Sequence, residues 1–125
     1  MTMQNKIKVE VQVTYIEEQS NIPSNEYAFA YTITITNLGQ IGAQLRTRCW
    51  QIMDEAGEIE EVTGEGVIGQ QPHISPGDNF KYSSGAMIKT PTGSMKGYYR
   101  MINDDGKRFK AEISEFVLSK PYTLH

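Results

Sequence analysis

Histidine, cysteine and long apolar runs are the scarcest features of this 125-residue chain. Its one cysteine, Cys49, excludes an intrachain disulfide framework and any cysteine-rich zinc module. The two histidines, His73 and His125, offer little to a metal or a general-base centre. His73 lies in a proline-flanked loop, His125 is the last residue, and neither has an i+4 partner on a helix or a carboxylate at metal-site spacing. No apolar run exceeds a few residues, so neither a membrane-spanning helix nor a signal-peptide core near Met1 is expected. Together with the lone cysteine, this makes a reducing, cytoplasmic location the expectation. Helical spacing is missing too, because apolar residues nowhere recur at i, i+3, i+4 and i+7 over three turns. Lys and Arg number 12 against 15 Asp and Glu, and a net charge of −3 gives no bulk electrostatic case for nucleic acid. Area scaling buries about two-thirds of the roughly 20,000 Å² exposed by an unfolded chain of this mass, enough for one core. Residues 1–125 read as a single domain.

What the chain does have is a period of two. Lys6-Ile7-Lys8-Val9-Glu10-Val11-Gln12-Val13 alternates without a slip, the mark of a half-buried strand. Asn21–Asn25 is a turn around Pro23. The run from Glu26 to Thr36 puts Tyr27, Phe29, Tyr31, Ile33 and Ile35 on one face. A third strand region spans Ile41 to Asp54, and Glu55-Ala56-Gly57 turns the chain into Glu58–Val62. After a glycine-rich stretch, 80–85 and 86–89 read as short strands around a bend at Gly85. Ser94–Asn103 alternates again, and Asp104-Asp105-Gly106 is a hairpin signal leading into a last strand from Lys107 to Ser119. Seven or eight strands at this spacing predict an all-β fold, an antiparallel sandwich of the immunoglobulin or fibronectin type III kind. A closed barrel is the competing solution.

Charge is segregated along the chain. Residues 49–80 carry acids and no Lys or Arg, whereas residues 81–110 carry Lys81, Lys89, Lys96, Arg100, Lys107, Arg108 and Lys110. Complementary solvated faces on neighbouring strands account for this, and so does a polarised surface that docks a charged partner. Gly64-Glu65-Gly66-Val67-Ile68-Gly69 satisfies G-x-G-x-x-G. The prolines at 72 and 76 forbid the helix that a dinucleotide site needs. The glycines then shape a bulged strand and loop, or present backbone N–H groups as an anion nest without a helix. Alternation puts Arg46, Arg48, Trp50 and Ile52 on one face, with Arg48 at the core margin clamping a neighbouring loop. Its expected partner is Glu65, and a ligand-facing Arg48 is the sharper alternative. Lys96, Tyr98 and Arg100 share a face, as a cation–aromatic interaction surface or as an ordinary solvated strand. No glycine-elbow serine occurs, and Ser83, Ser84 and Cys49 have only His73 as a base, so catalysis is not expected. No metal or cofactor is expected either.

The motifs, taken in order, resemble the ApaG domain family. The resemblance rests on Tyr27-Ala-Phe-Ala-Tyr-Thr-Ile-Thr-Ile-Thr-Asn-Leu-Gly39, on Leu45, Arg48, Trp50 and Ile52, and on Gly64–Pro72. It continues through Pro76-Gly77, Phe80, Tyr82, Ser84 and Gly85, through Thr90-Pro91, Gly93, Met95, Gly97 and Tyr99, and closes at Phe116 and Leu118. It covers about residues 7–118. Cys49 stands where relatives often carry histidine, and Ser114 where they often carry proline. The resemblance implies a fibronectin type III-like sandwich and a small bacterial protein linked by genetics to cobalt resistance and magnesium efflux. It also implies a protein-interaction module, since the same domain occurs in eukaryotic F-box proteins and a polymerase-interacting protein. No catalytic residues come with it. The expected function is therefore a non-enzymatic interaction module acting indirectly on divalent cations, with an unidentified protein partner. The alternative is pyrophosphate or a nucleotide polyphosphate held at the Gly64–Gly69 loop, with Arg48 supplying charge. An exposed sheet edge would also allow a homodimer.

Overall fold

The structure, a computed structural model, describes residues 5–121. Eight strands form in chain order: β1 Ile7–Tyr15, β2 Tyr27–Asn37, β3 Ala43–Asp54, β4 Ile59–Glu65, β5 His73–Ile74, β6 Asn79–Ile88, β7 Thr92–Asn103 and β8 Arg108–Ser119. Two short 3₁₀ turns, Glu17–Gln19 and Ile22–Ser24, are the only helical segments among the described residues. No helix there is long and apolar enough to cross a membrane. His125 lies outside the described residues.

The strands make two antiparallel sheets. One has the order β1-β2-β6, and the other β4-β3-β7-β8, with β5 beside the start of β3 where β4 has ended. Period-two sequence becomes a two-faced sheet, and the apolar faces pack on each other as a sandwich. Tyr27, Phe29, Tyr31, Ile33 and Ile35 of β2 are all buried, as the alternation predicts. They meet Trp50, Met95, Tyr99, Met101, Ile113 and Leu118 from the opposite sheet. Trp50 lies edge-on to Tyr31, Tyr99 and Phe116, with ring centroids 5.6, 6.5 and 5.9 Å away. Such geometry suits the aromatic quadrupole.

Side-chain amides fix the turns. Asn37, buried at the end of β2, donates to the carbonyls of Ile41 and Ile74, both at 2.9 Å, and accepts from the Gly39 amide. One residue thus ties the β2–β3 connection to β5. Asn103 Oδ1 accepts from the amides of Asp105 and Lys107, which sets the β7–β8 hairpin around Gly106 at φ +82°.

Two local readings change. β6 is one unbroken strand, paired with β2 from Tyr27–Ile88 to Thr36–Asn79. Gly85 sits in register opposite Ala30, because ladder pairing and core burial on both sides outweigh glycine's local preference for a bend. Strict alternation also fails in β3. Leu45 pairs with Met101 and Thr47 with Arg100, so Arg46 is the extra residue of a β-bulge. The bulge lets Leu45 and Trp50 both face the core, and Arg46 leaves the face it was expected to share with Arg48.

The two sheets differ in width. β1 lies against β8 and closes one flank. On the other flank the first sheet stops at β6, while the second continues past β3 to β4.

Candidate functional site

Arg48 and the glycine loop meet at this open flank. β4 pairs with β3 so that Gly64 lies opposite Arg48. The guanidinium stacks over Gly64, where an added Cβ would lie 2.7–2.9 Å from its Nη1, Nη2 and Cζ atoms. Arg48 Nη1 donates to the backbone carbonyls of Glu65, at 3.1 Å, and Gly66, at 2.9 Å. The loop is clamped through its main chain, with Glu65 contributing its carbonyl and not its carboxylate. Beyond Gly66 the chain makes a tight reversal. Ile68 at φ +44° and Gly69 at φ +76° occupy its two central positions, as a type I′ turn requires. Its amides are largely committed: Gly66 N–H donates to Arg46, Val67 to Gln70 and Gln70 to Val67. A multidentate backbone cradle for a dinucleotide therefore has few free donors here.

Between this turn and β6 is a cavity of about 240 Å³, lined by Tyr31, Arg48, Trp50, Gly69, Tyr82 and Ser84 among others. No carboxylate lines it, and none lies within 4 Å of Arg48 among the described residues. Behind the cavity the Tyr82 and Tyr99 hydroxyls share a hydrogen bond of 2.6 Å. Burial pushes Tyr82 up to about 12 despite the Tyr99 hydrogen bond, and burial raises Tyr99 as well, with the Tyr82 hydroxyl adding to it. Both phenols stay neutral at ordinary pH and act as hydrogen-bonding groups, not bases.

A second site lies on the outer face of the wider sheet. Strand register lines up Glu65, Thr47, Arg100 and Lys110 in one row, and Thr63, Cys49, Tyr98 and Glu112 in the next. The Lys110 ammonium lies 4.4 Å from the Tyr98 ring centroid and the Arg100 guanidinium 5.9 Å, within cation–π range. Beside them a depression of about 440 Å³ is rimmed by Arg46, Arg100, Arg108 and Lys110. Among the described residues, none of these four cations has a carboxylate within 4 Å. Glu65 is the one acid in the lining. Lys96 shares the face but sits further along, opposite Gln51. Sequence reading missed Arg46, which the bulge displaces. It also missed Arg108 and Lys110 as members of this site, although the hairpin signal at Asp104–Gly106 would have paired them with Ile102 and Arg100.

The remaining candidates are dispersed. His73 Nε2 is 2.8 Å from Asp104 Oδ1 in an exposed pair, and neither residue lines the cavity beside the glycine loop. Ser83 shares a hydrogen bond with Thr32, and Cys49 is a buried free thiol. No group of three or more metal-ligating side chains occurs among the described residues. The acidic and basic stretches meet only in part. β3 separates β4 from β7, Glu65 shares a row with Arg100 and Lys110, and Lys89–Glu58, at 3.8 Å, is the one Lys or Arg ion pair between the two stretches among the described residues.

The sequence profile of the ApaG domain matches residues 17–103. The chain belongs to the ApaG family. Protein ApaG of Nitrosospira multiformis is 51% identical over 120 residues, covering 96% of this chain and 94% of that one. Protein ApaG of Xylella fastidiosa is 51% identical over 121 residues, covering 97% and 95%. Among solved structures, a Bordetella pertussis protein described as ApaA superposes with a TM-score of 0.93 at 41% identity. That match covers 98% of this chain and all of the other. The ApaG match includes both the Arg48 clamp and the greater part of the outer-face site, and it ends before Arg108 and Lys110.

Proposed function

We propose that the chain is a non-enzymatic interaction module that uses the outer face of its wider sheet to bind an acidic protein surface. The observation that carries this reading is the cluster of Arg46, Arg100, Arg108 and Lys110 around one depression with no neutralising carboxylate within 4 Å. Cations placed this close repel one another, and an acidic partner relieves that repulsion while gaining charge-assisted hydrogen bonds. Tyr98 supplies an aromatic surface beside them. The ApaG resemblance supports a module role in the cytoplasm. Any influence on cobalt resistance or magnesium efflux is then exerted through the partner.

Affinity capture with the native chain and with the double variant Arg100→Glu/Lys110→Glu tests this. Both residues are surface cations, so the variant keeps its fold, verified by its circular dichroism. The expected result is loss of the captured partner on charge reversal. A partner set that survives the reversal places the interface elsewhere.

Arg48 supports a second reading. A half-buried guanidinium balanced only by carbonyls, beside a cavity of about 240 Å³ free of carboxylates, suits a small anion such as pyrophosphate. Adding pyrophosphate, with and without magnesium, should then move the NMR amide signals of residues 64–72 and of the Arg48 strand. Unmoved signals at millimolar ligand defeat it.

A further inference from the structure

The unequal width of the two sheets leaves a strand position vacant beside β6. The wider sheet carries β4 past β3, and the narrower sheet has no strand beyond β6 to cover the inward face of β4, over which only the Arg48 guanidinium at Gly64 and the core margin at Val62 lie. Glu60, Val62 and Gly64 are the inward residues of β4, since they pair with Ile52, Trp50 and Arg48. Inward residues of β2 are buried, as are Met95, Tyr99 and Met101 of β7, yet Glu60 is exposed and Val62 and Gly64 only half-buried. The same holds across the gap. Ser84 of β6 pairs with buried Tyr31 and so points inward, but it too is exposed. Two depressions run in series along this flank. One holds Ser84 with Arg48, and the other, about 460 Å³, holds Ile88 with Ile52, Asp54, Glu58 and Glu60.

We propose that this flank is a docking slot for one extended peptide segment, which pairs antiparallel with the free edge of β6 and fills the missing place in the narrower sheet. Main-chain pairing to an open edge supplies affinity, and alternate side chains supply specificity. The charges choose the sequence. A strand antiparallel to β6 passes Ile88 first and Ser84 four residues later. At the first position its inward side chain meets Asp54, Glu58 and Glu60, against which only Lys89 is set. Two residues on, it lies over Val62. At the third inward position it meets Arg48. On the β3–β4 ladder the pairs Ile52–Glu60 and Arg48–Gly64 are also four residues apart. The two spacings agree, so the preferred occupant reads basic, apolar, acidic at alternate positions, from its N- to its C-terminal end. This inference does not rest on the basic outer face, which lies on the other side of the wider sheet.

The test uses a labelled peptide with the core Lys-Thr-Val-Thr-Glu flanked by threonines, followed by fluorescence anisotropy and by NMR amide exchange. The expected result is slowed exchange along residues 79–88 and signal changes at Arg48 and Glu60. The reversed core, Glu-Thr-Val-Thr-Lys, should bind more weakly. Glu60→Lys, at an exposed position that leaves the fold intact, exchanges an attraction for a repulsion and should raise Kd about tenfold. A peptide with glutamate in place of its lysine should then prefer the Glu60→Lys chain over the native one. Arg100→Glu/Lys110→Glu should bind the peptide as the native chain does, so failure of the outer-face reading remains distinguishable. Equal binding by Glu60→Lys, or signal changes confined to the surroundings of Tyr98, overturns the slot. So does concentration-dependent protection of β6 without peptide, which would put a second copy of the chain there.

Discussion

Replacing Gly64 by alanine puts a methyl group where the Arg48 guanidinium lies, 2.7 Å from Nη2, 2.8 Å from Cζ and 2.9 Å from Nη1. Gly64 has no positive φ, so alanine strains no backbone there. The side chain must give way instead, and the guanidinium swings off its two carbonyls. Hydrogen bonds from a charged donor contribute about 1.5–3 kcal/mol each when lost from a buried setting. Rehydration of the Glu65 and Gly66 carbonyls at this half-open site reduces that, and alanine's stiffer unfolded chain returns about 0.4–1 kcal/mol. The net cost is about 1–3 kcal/mol. At this chain length each kcal/mol lowers Tm by roughly 3–5 °C. Urea and thermal unfolding followed by the emission of Trp50, the only tryptophan, measure it. The decisive comparison is a double-mutant cycle with Arg48→Met, which keeps an apolar stem and removes the charged head. In that background Gly64→Ala should be neutral or mildly stabilising. If its cost is the same in both backgrounds, within about 0.5 kcal/mol, the methyl–guanidinium clash is not the cause.

Charge reversal at Arg100 and Lys110 should release an acidic partner without lowering Tm by more than a few degrees, checked by capture and thermal unfolding together. Tyr82 loses its proton at about 12 in the folded chain against 10.0 in the open chain. Its folded value is raised, so its contribution is complete below pH 10 and is lost as pH rises from 10 towards 12. That loss is about 3 kcal/mol at most. Tyr99 shifts in the same direction, so urea midpoints should fall across this window, and the variant Tyr82→Phe/Tyr99→Phe should flatten the fall. Removing one phenol oxygen alone leaves the other buried hydroxyl unpaired. Either single variant should therefore cost more than half of what the double does. Asn37→Asp removes the two donors that hold the carbonyls of Ile41 and Ile74 and sets a carboxylate against them. A loss of at least about 3 kcal/mol in urea unfolding is expected, and an unchanged midpoint would refute the role assigned to that amide.

The strands that sequence displays most openly are those with one wet and one dry face. β1 and β2 alternate because one face of each is wetter than the other, and that pattern survives in the structure along both strands except at Ala28, which is buried on the outward side of β2. β6 was harder to read, since Gly85 looks like a break until the ladder with β2 is known. β5 went unnoticed, being two residues long and held by pairing with β3 alone. The outer-face site was half legible. Period two put Lys96, Tyr98 and Arg100 together, but which cations gather there depends on the Arg46 bulge and the β7–β8 register, and both exist only once strands pair. The clamp by Arg48 followed from its place at the core margin. That it would grip carbonyls and not a carboxylate follows from loop geometry, which spacing does not encode.

Glu60 carries a consequence for the protein at high concentration. An inward-facing carboxylate on an uncovered edge strand is a poor template for endless stacking, because each added copy would bring another negative charge into a drying contact. Its exposed neighbour Ile59 shows what the same strand would offer without it. The carboxylate proposed to select the peptide would also disfavour fibril growth, and Glu60→Val should turn a clear concentrated solution into one that seeds thioflavin-positive aggregates.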